Sequence, residues 1–305
     1  VILHEWYRSV PEDLRTGLRA LLDDAAGHDA EAGFPRVRPD DGPDVHHLVV
    51  HLLPDEREVV EDRGVPVLAA YLQLRVASDG TAVARYVVRP DLRSRGVTTL
   101  LFEKIGLDVH APDGWAGTGA REVRIWARGD HPAARRLTRR FGSHDISRTR
   151  HQWNLLAPVR GLRRDDLLAE VPAAAEVDVR DVTGPDEPAA VRGMLGTLAG
   201  DPPADGALVR VAGRSGVDGA VWVDVAADEA TEYGTAGRIH GPAVWPDGRA
   251  DATRAALLVA AMEEIAGAGL PVAALVVDGD DDRLVHLTRA LGFVHERTDA
   301  EYLLR

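Results

Sequence analysis

At 305 residues the chain is long enough for two domains of about 150 residues each, because single cores seldom grow much beyond that scale. It is 45% hydrophobic and 28% charged, which excludes global disorder, and its net charge of -13 disfavours nonspecific binding to nucleic acid or to an anionic membrane surface while suiting neutral or cationic small substrates. Without cysteine there can be no disulfide, thiolate nucleophile or cysteine metal site.

After the Ser9-Val10-Pro11-Glu12 start signal, the spacing of Leu14, Leu18, Leu21 and Leu22 predicts an amphipathic helix. Strands are expected at Leu48–Leu53, Val67–Leu74 and Ala82–Val88, with Asp79-Gly80 turning the second into the third. A helix over Val97–Val109, a short strand over Val123–Trp126, a helix over Pro132–Phe141 and a strand over His151–Leu156 follow. Residues 157–176, rich in Pro, Gly and charge, read as a linker with one helical turn. The order then repeats. Strands at Val177–Val182, Leu208–Val211, Ala220–Val225 and Arg238–Val244, with a helix at Glu187–Leu198, precede a helix at Thr253–Ala266, a strand at Val272–Val277, a helix at Arg283–Leu291 and a strand at Glu296–Leu303. No apolar run reaches the ~20 residues that span a bilayer, and Val1–Arg8 has no basic region followed by an apolar core, so the expected location is cytoplasmic and no membrane partner is expected.

The two series match residue by residue. Pro90-Asp91-Leu92-Arg93 parallels Pro246-Asp247-Gly248-Arg249, Gly129-Asp130 parallels Gly279-Asp280, and Leu137-Thr138-Arg139 parallels Leu287-Thr288-Arg289. An ordered set of this kind argues duplication, with domains expected at 1–156 and 177–305.

Between the strand ending at Val88 and the next helix lies Arg89-Pro90-Asp91-Leu92-Arg93-Ser94-Arg95-Gly96-Val97-Thr98-Thr99. A small Gly-containing turn at a helix start can aim several backbone N–H groups at one phosphate, and Arg93 or Arg95 can add a full positive charge. The alternative is an ordinary strand-to-helix turn with solvated arginines. The turn resembles motif A of the GNAT acetyltransferases, Arg/Gln-x-x-Gly-x-Gly/Ala, with Arg93, Gly96 and Thr98 in the marked places; Thr98 departs from the pattern. Asp280-Asp281-Asp282-Arg283-Leu284 through Leu291-Gly292-Phe293 resembles motif B, and Trp126–Ala134 with Thr298–Tyr302 is similar to the mycothiol synthase family, tandem GNAT proteins of comparable length.

The resemblance implies an α/β fold of the α+β mixed-sheet kind, in two tandem GNAT-like acyltransferase domains. It implies acetyl-CoA as co-substrate, held by Val87, Val88, Arg93, Ser94, Arg95, Gly96, Val97, Thr98 and Thr99, and acetyl transfer to a small-molecule primary amine. In the second half both glycine places are lost, to Ala252 and Arg254, and Asp251 sets a negative charge where phosphate would sit, so that turn is expected to be degenerate. The family's carboxylate base falls near Arg238, and its Tyr acid falls on Thr138 and Thr288, neither of which can replace a phenol as proton donor. The catalytic candidates that remain are Glu232, His240 and Tyr86. His46, His47 and His51 lack the pattern of a metal site, and no metal is expected. A catalytically inactive CoA-binding or structural relative is the alternative reading.

Overall fold

A computed structural model of the chain describes residues 1–29, 37–53, 66–142, 145–198, 203–204, 206–214, 216–246 and 249–305. In chain order its main elements are β1 (Ile2–Tyr7), α1 (Glu12–Asp29), β2 (Val45–Leu52), β3 (Val67–Val76), β4 (Thr81–Val88), α2 (Val97–Ile105), β5 (Glu122–Ala127), α3 (Pro132–Arg140) and β6 (Ile146–Pro158). Next come α4 (Arg164–Glu170), β7 (Val179–Asp181), α5 (Glu187–Met194), β8 (Leu208–Ala212), β9 (Gly219–Thr231), β10 (Gly234–Val244), α6 (Ala250–Gly267), β11 (Val272–Asp278), α7 (Asp282–Ala290) and β12 (Val294–Leu304). The chain forms two compact units, Val1–Thr149 with Ala300–Arg305, and Arg150–Asp299. No helix among the described residues is long and apolar enough to cross a membrane.

In the first unit β1 to β4 are antiparallel neighbours in chain order, β4 and β5 are parallel, and residues 300–304 of β12 run antiparallel to β5. Leu18, Leu21, Leu22 and Ala25 make one stripe of α1, which packs on Val49 and Tyr71 on one face of the sheet. The other face buries Leu48, Leu72, Leu74 and Ala84 against Leu101 of α2. Leu101 is fully buried, so truncating it to Ala would cost about 2–5 kcal/mol.

The second unit repeats this plan. β7 to β10 are antiparallel neighbours, β10 and β11 are parallel, and residues 152–158 of β6 run antiparallel to β11. Helix α6 is apolar on nearly every side and supplies the core, with Leu257, Leu258, Met262 and Ile265 packed on Val223, Ile239 and Leu275.

The units differ from the expected domain boundaries. Residues 150–156 pair inside the second unit and residues 300–305 inside the first, so each unit holds a strand that chain order assigns to the other half. The span 157–176 is more than a linker: it contains α4 and a 3-10 turn at Pro172–Glu176, and it buries Val159, Leu167 and Ala174 in the second unit. Helix α2 stops at Ile105, where Gly106 takes a φ of 73°, rather than at Val109.

Candidate functional site

The parallel pair in each unit comes apart part-way along. β4 and β5 pair from Thr81–Glu122 to Ala84–Ile125; beyond that rung Arg85 to Val88 pair with β3 alone. β10 and β11 pair from Ala236–Val272 to Ile239–Leu275, after which a bulge between His240 and Ala243 turns β10 away. An opening at the carboxyl ends of parallel strands is where α/β sheets place their ligands.

In the first unit the opening leads to the expected turn. Gly96 is the N-cap of α2 with a φ of 83°, a left-handed conformation that a Cβ disfavours. A Cβ built there would meet no protein atom within 4 Å, so the space over the helix start is open. The first turn of α2, Val97-Thr98-Thr99, carries no acid, and its N–H groups have no intrahelical acceptor. Together these features fit a diphosphate.

The arginines of the turn divide. Arg93 donates from Nε to the Val88 carbonyl at 3.1 Å and from its two Nη atoms to the Asp29 carboxylate at 2.5 and 2.8 Å. Its charge is therefore balanced within the protein. Arg95 is exposed and has no carboxylate partner among the described residues.

Of the three catalytic candidates, Tyr86 belongs to the first unit. It sits two residues past the last β4–β5 rung, on the face of α2, with its ring 6.3 Å from that of Phe102. Burial pushes its phenol up to about 12, and the Thr98 hydroxyl lies close enough to oppose that shift without meeting hydrogen-bond geometry; the buried Tyr86 oxygen has no hydrogen-bond partner among the described residues. A protonated, unengaged phenol is a proton donor at neutral pH.

The second unit offers less. His240 is buried at the bulge where β10 leaves β11. Glu232 is exposed in the β9–β10 turn, at the far end of β10 from α6. Arg238 pairs with Ala274 on the third rung of its ladder, and Val83 occupies the third rung of the β4–β5 ladder, so neither strand has a carboxylate at that position. Residues 247–248, within the expected parallel to Pro90–Arg93, lie outside the described residues. The first turn of α6 contains Asp251, which pairs with Arg254 at 3.4 Å, and the neighbouring hollow is lined by Asp278, Asp280, Asp281, Asp282 and Arg283. These carboxylates oppose an anionic ligand.

Two groups that sequence reasoning missed reach the first unit on β12. Glu301 stands opposite Trp126 of β5, is 4% exposed, accepts a hydrogen bond from Thr149 Oγ1 at 2.9 Å and lies 3.9 Å from Arg124. Tyr302, opposite Ile125, lies beside Asp130 and Arg135; burial and the Asp130 charge raise its phenol. Asp130 pairs with Arg135 and lies 3.7 Å from Arg148, and the Arg135 hydrogen bond comes first in holding its carboxyl below the usual range. The cap of α3 is His131, whose Nδ1 accepts from the Ala133 N–H at 3.2 Å. His46 and His47 point to opposite faces of β2, toward Trp6 and Tyr71, and no group of three His, Asp or Glu among the described residues could hold a metal.

No protein-family model matches the chain. It is similar to a mycothiol acetyltransferase of Sanguibacter keddieii, 27% identical over 259 residues that cover 78% of this chain and 79% of that protein. A mycothiol acetyltransferase of Saccharomonospora viridis is 27% identical over an alignment of 321 positions that covers 97% of each chain. Among solved structures, a tandem GNAT protein from the clavulanic acid biosynthesis pathway superposes with a TM-score of 0.62 at 16% identity over 99% of this chain and 98% of that one. A GCN5-related N-acetyltransferase from Sphaerobacter thermophilus gives 0.57 at 17% identity, over 98% and 95%. Two units of one topology, each with its parallel pair opened at the carboxyl end, agree with these likenesses: the chain has the tandem GNAT fold and resembles mycothiol synthase.

Proposed function

We propose that the chain binds one acetyl-CoA, in its first unit, and transfers the acetyl group to a primary amine of a small molecule. The observation that supports this best is the separation of β4 from β5 beyond Ala84–Ile125, next to a glycine-led helix start with no acid in its first turn. Ser94 to Thr99 would hold the diphosphate, with Val87 and Val88 flanking the pantetheine arm. The second unit, with Asp251 and four further aspartates around its own opening, is read as the degenerate copy.

Acetyl-CoA supplies an activated thioester. The chain's own residues have to take a proton from the amine and give one to the departing sulfur. Glu301 is the carboxylate best placed for the first task, one strand across from the opening, and Tyr86 is the phenol best placed for the second. The names of the relatives direct the first assay to the amine precursor of mycothiol, and dependence on acetyl-CoA goes with a cytoplasmic location. Thiol release from acetyl-CoA, followed across a panel of small primary amines, tests the reading.

A second reading, a CoA-binding or structural relative without catalysis, is favoured by Val83 and Arg238 where a carboxylate base is expected and by Thr138 and Thr288 in place of a tyrosine. Tight binding of acetyl-CoA with no acetyl transfer to any amine would support it over the first.

A further inference from the structure

We infer that Arg95, and not Arg93, is the cation of the turn that reads the coenzyme's diphosphate, and that Asp29 makes this assignment by locking Arg93 into a brace; the inference rests on the coenzyme reading of the same turn. Arg93 is held on three sides. Its two Nη atoms meet both oxygens of Asp29, at 2.5 and 2.8 Å, in the paired geometry that arginine and carboxylate favour, while Nε is fixed on the Val88 carbonyl at 3.1 Å. The pair is only partly exposed, at 33% for Arg93 and 20% for Asp29, which shields it from competing water. It ties the last residue of α1 to the last residue of β4.

A phosphate approaching Arg93 would meet a neutral pair with a carboxylate at its back, and rotating the guanidinium toward the ligand would leave Asp29 partly buried without its counterion. Arg89, the other flanking arginine, is paired with Asp91 at 2.9 Å. Arg95 directly precedes Gly96, projects into solvent and has no carboxylate partner among the described residues. Ser94, between the two arginines, takes a φ of 63°, an uncommon conformation for a residue with a Cβ, and it separates the braced arginine from the open one.

Calorimetry with coenzyme A and thermal unfolding of the full chain test the assignment. Arg95→Gln should raise the Kd for coenzyme A about tenfold with Tm unchanged. Asp29→Asn, which releases the Arg93 charge, should lower Tm and tighten coenzyme A at least threefold. Arg93→Gln should lower Tm with a Kd change below threefold, and the Asp29→Asn, Arg93→Gln double variant should lose no more Tm than the worse single variant, as expected of two groups acting as one unit. A tenfold loss of affinity in Arg93→Gln at unchanged Tm, or a neutral Arg95→Gln, would overturn the assignment. If Arg93→Gln does not fold, Arg95→Gln and Asp29→Asn still decide. A wild-type chain that binds no coenzyme A would overturn both the Arg95 role and the coenzyme reading, whereas failure of this inference alone appears as tight wild-type binding that Arg95→Gln leaves intact.

Discussion

Ala84 of β4 and Ile125 of β5 form the last rung of a parallel ladder, and the strands diverge beyond them. Around that rung stand Tyr86, two residues further along β4, Tyr302, opposite Ile125 on the other side of β5, and Glu301, next to it in the chain; Tyr86 and Glu301 are the two groups proposed to move the protons.

Tyr86→Phe removes a phenol that burial keeps protonated and that has no hydrogen-bond partner to lose among the described residues. Tm should change little, since no bond is broken. If the phenol protonates the leaving thiolate, kcat should fall about 100-fold while the KM for acetyl-CoA stays within about twofold. A full rate in steady-state assays of this variant would remove Tyr86 from the mechanism.

Glu301→Gln keeps the shape of a buried side chain and abolishes its basicity. The expected result is a loss of about 100-fold in kcat/KM at neutral pH, with recovery as the pH rises toward the pKa of the amine, because a free amine no longer needs the carboxylate. Coenzyme affinity should be unchanged. A pH profile parallel to that of the wild type would show that Glu301 is a structural partner of Thr149 and Arg124 only.

His46 and His47 are buried on β2, and burial lowers the pKa of both below the ordinary 6.5. The unfolded chain therefore binds more protons than the folded one as pH falls through about 6.5, so stability is full above that value and is lost on acidification. Tm measured between pH 7.5 and 5.5 should fall more steeply for the wild type than for a His46→Gln, His47→Gln variant, compared as slopes because both substitutions also disturb packing. Equal slopes would mean that neither histidine gains a proton on unfolding in this range.

Much of the fold is legible in the sequence because local pattern carries it. The stripe Leu18, Leu21, Leu22 and Ala25 specifies α1, and the apolar strands and the Gly96 turn fall where their residues predict. Three features are not local. β1 escapes because Ile2-Leu3-His4-Glu5-Trp6-Tyr7 mixes charge and aromatic residues, and its strand character comes from pairing with β2. The partners of β6 and β12 cannot be read from chain order, since period-2 patterning specifies a strand but not the sheet it enters. Glu301 was hidden for that reason: nothing near it in sequence reveals that it stands opposite Trp126. Asp29 and Arg93 likewise lie 64 positions apart and meet only after folding.

A single coenzyme site, in the first unit, can be counted and located by calorimetric titration of the wild type and of Gly96→Trp with acetyl-CoA. The stoichiometry should be near one per chain for the wild type, with no binding by Gly96→Trp, which fills the open space over α2 and strains a backbone at φ 83°, the variant's folding being confirmed by its unfolding transition. Two equivalent sites per chain, or undiminished binding by the folded Gly96→Trp variant, would contradict it.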